Sequence, residues 1–110
     1  METKTIVTAL SALAQDSRLA IFRLLVQTGP DGLPAGKISE ALGIAPSSLS
    51  FHMKELTFAN LVVSTQQGRF IIYSANFKAM NDLITFLTEN CCGGEPCGTS
   101  CAPDCPTEQQ

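Results

Sequence analysis

The sequence predicts a mainly α fold with a single β-hairpin, and three observations carry that prediction. Two short helical segments, PAGKISEALG and SSLSFHMKELTFAN, are joined by about three residues that follow a glycine. Two β-branched runs flank QQGR in LVVSTQQGRFIIYS, where Gly68 can take the positive φ of a hairpin turn. On either side, apolar residues recur at spacings of three and four, until the period stops at Asn90.

Taken in order, residues 3–14 place Ile6, Val7, Leu10, Leu13 and Ala14 on one helical stripe. Asp16 or Ser17 then caps a second helix, which carries Leu19, Ile21, Phe22, Leu24, Leu25 and Val26 and ends at Gly29 before Pro30. GPDGLP reads as a turn or short loop. The third helix opens at Pro34 and closes at Gly43, with Leu33, Ile38, Ala41 and Leu42 turned inward. Ile44 and Ala45 make a tight connection, Pro46 and Ser47 start the fourth helix, and Leu49, Met53 and Leu56 form its inner face. After the hairpin, Asn76 caps a last helix whose stripe is Phe77, Met80, Leu83, Ile84 and Leu87. The order helix, helix, helix-turn-helix, hairpin, helix is a winged helix-turn-helix layout with an additional helix at each end.

Two regions follow from this reading: a domain over 1–89 and a cysteine-rich tail over 90–110, whose glycines, prolines and cysteines show no apolar period. A body with 45% hydrophobic and 15% charged residues in a chain of 110 is globular, and some of its apolar surface is expected to meet a partner, a second copy being the simplest. No run approaches the length of a membrane span, and METKTIVTALSALAQDSR lacks the basic flank and cleavage site of a secretory signal, so no membrane partner and a cytoplasmic location are expected. All five cysteines, Cys91, Cys92, Cys97, Cys101 and Cys105, fall in the tail. An odd cluster of this kind in a reducing compartment points to ion ligation or redox sensing rather than to a disulfide framework.

The net charge of −3 argues mildly against a nucleic-acid partner, but its distribution matters more than the sum. Glu89, Glu95, Asp104 and Glu108 lie in or next to the tail, whereas Lys37, Lys54 and Arg69 fall around the two short helices and the hairpin tip. The second helix of a helix-turn-helix offers its outer face to the major groove of DNA. In this chain that face carries Ser47, Ser48, Ser50, His52 and Lys54 as hydrogen-bonding groups, and Phe51 as a group able to touch a thymine methyl. Lys37 and Arg69 are suited to the phosphate backbone. The plainer alternative, a solvated surface helix beside a structural hairpin, explains each residue singly but not their order. His52 is the sole histidine, and with no other His or Cys in its helix it suits a base or phosphate contact better than a metal.

With ALAQDSRLAIFRLL in the second helix and ISEALGIAPSSLSFHMKELTFANLV through the recognition helix, the chain resembles the ArsR/SmtB family of bacterial metal-responsive repressors over residues 5 to about 88. The resemblance implies a homodimer with the first and last helices at its interface. It also implies binding to an imperfect palindrome in double-stranded operator DNA, and release when an inducer binds. Two departures are informative. Many arsenic-sensing relatives carry a Cys-x-Cys-like motif in the third helix, where this chain has GKISEALG. Zinc-sensing relatives place Asp and His on the last helix, where this chain has Asp82 and Glu89 and no histidine.

Ion sensing is therefore expected in the tail. An all-thiolate site selects soft acceptors, and As(III) or Sb(III) suits three sulfurs in a pyramid. Cys91, Cys92 and Cys97 are the candidate ligands, since Gly93, Gly94 and Pro96 can turn the chain back, with Cys101 and Cys105 as alternates. Some relatives with a C-terminal NCC motif followed by a third cysteine use this arrangement, which supports the set without deciding its third member. A zinc, cadmium or lead site and a thiol redox switch remain open for the same sulfurs, although C-x3-C-x3-C is not the usual spacing of structural zinc. A metal-buffering protein is a further reading, set against by the polar recognition helix. Catalysis is not expected, because there is no C-x-x-C opening a helix, no Ser-His-Asp set and no glycine-rich phosphate loop.

Overall fold

A computed structural model describes residues 2–89. The elements are α1 (Thr3–Leu13), α2 (Asp16–Thr28), β1 (Leu33–Pro34), α3 (Ala35–Leu42), α4 (Pro46–Phe58), β2 (Val62–Gln67), β3 (Phe70–Ala75) and α5 (Phe77–Thr88). The fold class is the one the sequence predicts, five helices and a hairpin wing.

The buried face of α1 differs from the expected stripe. Ile6, Ala9 and Ala12 are buried, while Val7 and Leu10 are 54% and 41% exposed. Ala9 and Ala12 allow α1 to lie close against α2 and α4, so these two alanines together with Ile6 face inward in place of Val7 and Leu10. The corner that follows is held by side chains: the Gln15 Oε1 accepts from the Arg18 N–H at 2.9 Å, and the Arg18 Nε donates to the Ala12 carbonyl at 2.6 Å. Gln15, not Asp16 or Ser17, is thus the cap of α2, and Asp16 instead sits in the first turn, where its charge suits the helix dipole.

Ile21, Phe22 and Leu25 of α2 point into a core completed by Ile38 of α3, by Leu49, Met53 and Leu56 of α4, and by Leu61 and Val62 at the base of the hairpin. Leu49, Met53 and Leu56 are the three inner positions the sequence assigns to α4. Ala41, expected inside, is exposed.

The segment GPDGLP does more than turn. After Gly32, whose φ is +70°, Leu33 and Pro34 pair antiparallel with Tyr73 and Ile72, giving a three-stranded sheet in the order β1-β3-β2. A Cβ on Gly32 would run into the Tyr73 carbonyl and approach Ile72 Cγ2 to 3.0 Å, so glycine is required twice, by conformation and by space. The hairpin pairs Val62 with Ala75 through Gln67 with Phe70, and Gly68, at φ +62°, leads its two-residue turn. Asn76 ties the last helix on: its Oδ1 accepts from the Ala79 N–H at 3.1 Å and its Nδ2 donates to the Asn60 carbonyl at 3.0 Å. Along α5, Ala79 and Leu83 are buried, whereas Ile84 and Leu87 stand 51% and 59% exposed.

Candidate nucleic-acid interface

The turn between α3 and α4 is built around Ser39. Gly43 takes the left-handed conformation, φ +65° and ψ 32°, that ends α3, and its N–H returns to the Ser39 carbonyl. The Ile44 N–H reaches the same carbonyl at 3.1 Å, and the Ser39 hydroxyl donates to the Ile44 carbonyl. One residue therefore holds both backbone groups of Ile44, its own carbonyl taking the N–H and its hydroxyl meeting the carbonyl, and fixes where α4 begins. Helix α4 has Pro46 at its first position and no side-chain cap on Ala45, so the Ser47 and Ser48 N–H groups have no helical acceptor.

With Leu49, Met53 and Leu56 inside, a period of 3.6 residues places Ser47, Phe51, Lys54 and Phe58 along the opposite face of α4. Ser47, Ser48, Ser50 and Lys54 are exposed, and so are Phe51 at 57% and Phe58 at 83%. His52 is half-buried beside Phe51, with ring centroids 5.8 Å apart in an edge-on arrangement. Its Nδ1 is buried and finds no partner among the described residues.

Beside α4 stands the hairpin. Arg69 occupies the exposed tip next to Gly68. Neither Lys54 nor Arg69 has an ion pair among the described residues, whereas Lys37 on α3 lies 3.9 Å from the Glu40 carboxylate. Between α4 and the strands runs a groove of about 460 Å3, lined by Ser50, Lys54, Thr57 and Phe58 on one side and by Ser64 and Tyr73 on the other. Thr57, Phe58, Ser64 and Tyr73 were not singled out from the sequence. The signal was the alternation of the strand: Val62 is buried at the base of the hairpin, so Ser64 and its cross-strand partner Tyr73 share its face, toward α4. Cys91, Cys92, Cys97, Cys101 and Cys105 lie outside the described residues. Among the described residues, no group of three His, Cys, Asp or Glu side chains is placed to hold a metal ion, and no helix is long and apolar enough to cross a membrane.

A helix-turn-helix clasped in this way, followed at once by a hairpin, defines a winged helix-turn-helix protein. Residues 13–65 match a family model described as a helix-turn-helix domain. The HTH-type transcriptional regulator NmtR of Mycobacterium tuberculosis is 39% identical over 69 residues, which cover 63% of this chain and 55% of that one. The chain therefore spans little more than half the length of that relative. The arsenical resistance operon repressor of Bacillus subtilis is 33% identical over 81 residues, covering 74% of this chain and 73% of that one. An ArsR-like transcriptional regulator from Rhodococcus sp. RHA1 shares the fold, with a TM-score of 0.68, 24% identity and 76% of each chain covered. The chain belongs to the ArsR/SmtB family of winged helix-turn-helix transcriptional regulators.

Proposed function

We propose that the chain is a cytoplasmic homodimeric repressor that holds operator DNA through α4 and the wing, and releases it when As(III) or Sb(III) is bound by thiolates in residues 90–110. The observation that carries the DNA part is the outer face of α4. A helix whose exposed positions are Ser47, Ser48, Ser50, Phe51 and Lys54, standing beside a wing tipped by Arg69, presents base-reading groups and positive charge to one groove. Lys37, Lys54, Arg69 and the free N–H groups of Ser47 and Ser48 take phosphates. Ser50 and His52 read base edges, and the burial of Nδ1 leaves Nε2 as the histidine's reading atom.

The two-copy part rests on Val7, Leu10, Ile84 and Leu87, large apolar side chains left in water on α1 and α5. Cys91, Cys92 and Cys97 act as the ligand set, and they follow closely on Thr88, where α5 ends, so an ion gathering them acts on a helix of the dimer interface. A coupling of about 1 to 3 kcal/mol between ion and DNA is enough to switch occupancy. The Bacillus subtilis relative named as an arsenical resistance operon repressor supports the choice of inducer. Zinc, cadmium, lead or oxidation of the same thiols is the competing reading.

The test is a titration of operator binding with arsenite, antimonite, cadmium and zinc. Arsenite and antimonite should release DNA at the lowest concentrations, and Ser at Cys91, Cys92 or Cys97 should abolish release without weakening DNA binding. Serine at Cys101 or Cys105 should be nearly silent. A chain ended after Asn90 that still responds to arsenite would overturn the tail as sensor, and release by zinc alone would overturn the inducer.

A further inference from the structure

We propose that the hollow beside the helix-turn-helix is a binding site for a small apolar primary amine. A cavity of about 350 Å3 lies between α3, the first half of α4 and Tyr73 of β3, within the size range of small-ligand pockets. Its floor is apolar, formed by the buried Leu49 and Met53 with Pro46 beside them. Its polar lining residues are few and all bear oxygen, Ser39, Ser50 and Tyr73 with hydroxyls and Glu40 with a carboxylate, and Glu40 is the one charged residue of the lining among the described residues. Among the described residues, no basic side chain lines it. Acceptors around an apolar floor, with a single negative charge, match a ligand that has an apolar body and an ammonium head.

Two of these groups are free to act. The Ser39 hydroxyl spends its proton on the Ile44 carbonyl, so what it offers a ligand is lone pairs. Among the described residues the Glu40 carboxylate has one ion-pair partner, Lys37, 3.9 Å away, with side chains 78% and 67% exposed. A pair of that kind holds little structure together, and a ligand ammonium replaces it without breaking a needed bond.

Gly36 supplies an independent observation. Gly36 is the second residue of α3, and a Cβ there would meet no heavy atom of the described residues within 4 Å. Neither its backbone nor a neighbour requires glycine. It lies in the wall of the hollow, where a longer side chain would take up the space. Because Ser50 and Tyr73 also line the groove between α4 and the hairpin, an occupant sits at the flank of the recognition helix.

The site is tested without DNA or thiophilic ions, so its failure is separate from any failure of the regulatory reading. Full-length protein labelled with 15N is titrated with phenethylamine. Saturable shifts are expected at the amides of Ser39, Glu40, Leu49 and Ser50. Glu40→Gln should weaken phenethylamine by about two- to fivefold, the value of an exposed ion pair, and leave the uncharged 2-phenylethanol unchanged. Gly36→Leu should abolish binding of both. Should the leucine variant fail to fold, Gly36→Ala must shift the preference from phenethylamine toward the shorter benzylamine. The proposal is overturned by an absence of saturable shifts up to about 10 mM, by shifts spread over acidic residues elsewhere, or by equal affinities in Glu40→Gln and the parent.

Discussion

Replacing Gly32 by alanine tests how the wing is fastened to the body. Gly32 has φ +70°, and left-handed backbone costs an L-residue about 1 to 2 kcal/mol. The new methyl would also be driven into the Tyr73 carbonyl and against Ile72 Cγ2. Those are atoms of β3, so relief requires moving β1 away from the strand it pairs with, at about 1 to 3 kcal/mol by analogy with overpacked cores. The stiffer unfolded chain returns about 0.4 to 1 kcal/mol. The net destabilisation is about 2 to 4 kcal/mol, or roughly 10 to 30 °C in Tm for a domain this small. Gly43 is the internal control. Its φ is +65° but a Cβ there meets nothing within 4 Å, so Gly43→Ala should cost only about 1 kcal/mol. Thermal and urea denaturation of the two variants give the comparison. If Gly32→Ala is no more costly than Gly43→Ala, the contact between β1 and the Tyr73 carbonyl is not a constraint, and the reasoning fails.

Asn76→Ala should cost about 1 to 2 kcal/mol in urea denaturation, because it removes both the cap of α5 and the bond to Asn60. Asn76→Asp keeps the capping oxygen and should cost less; equal losses would show that the cap contributes nothing. Lys54→Ala and Arg69→Ala should each lower the slope of log affinity against log salt by about 0.9 on any DNA sequence. Lys37→Ala should lower it less, since its ammonium already lies 3.9 Å from Glu40, and the reverse ranking would misplace the phosphate contacts. Leu10→Asp or Leu87→Asp should convert a dimer into monomers in analytical sedimentation, whereas Val63→Asp, on the wing and 40% exposed, should not.

Elements long enough to show a period were legible in the sequence. Leu49, Met53 and Leu56 share one face of α4 because their spacing leaves no other arrangement for a half-buried helix, and Gly68 marks the hairpin turn by the conformation it permits. What escaped was set by partners distant in sequence. Two residues of β1 carry no periodicity, and their pairing depends on Tyr73, forty positions further on. The buried side of α1 escaped because hydrophobicity favours Val7 and Leu10, while close helix packing favours Ala9 and Ala12. The large residues thereby released are the ones assigned here to a second copy. In the candidate interface, the outward positions of α4 follow from its inner ones, so Ser47, Ser50, Phe51 and Lys54 could be placed in advance. The depth of His52 could not, being fixed by packing at the edge of the core. Thr57, Ser64 and Tyr73 belong to a groove made by two elements, and neither element announces it alone.

The bonds that Ser39 makes to Ile44 separate two tasks within one short stretch of chain. The turn is closed entirely by groups of α3 and the connection, and the angle of α4 is set by Leu49, Met53 and Leu56. Nothing on the outward face of α4 contributes to either. The outward residues are consequently free of the fold's demands: under the proposed DNA-reading role, a new set at 47, 48, 50, 51 and 54 is expected to redirect binding without redesigning the fold. The connection has no such freedom. An added residue between Gly43 and Ile44 would carry Ile44 out of reach of Ser39 and rotate the outward face of α4, so the connection tolerates little change in length.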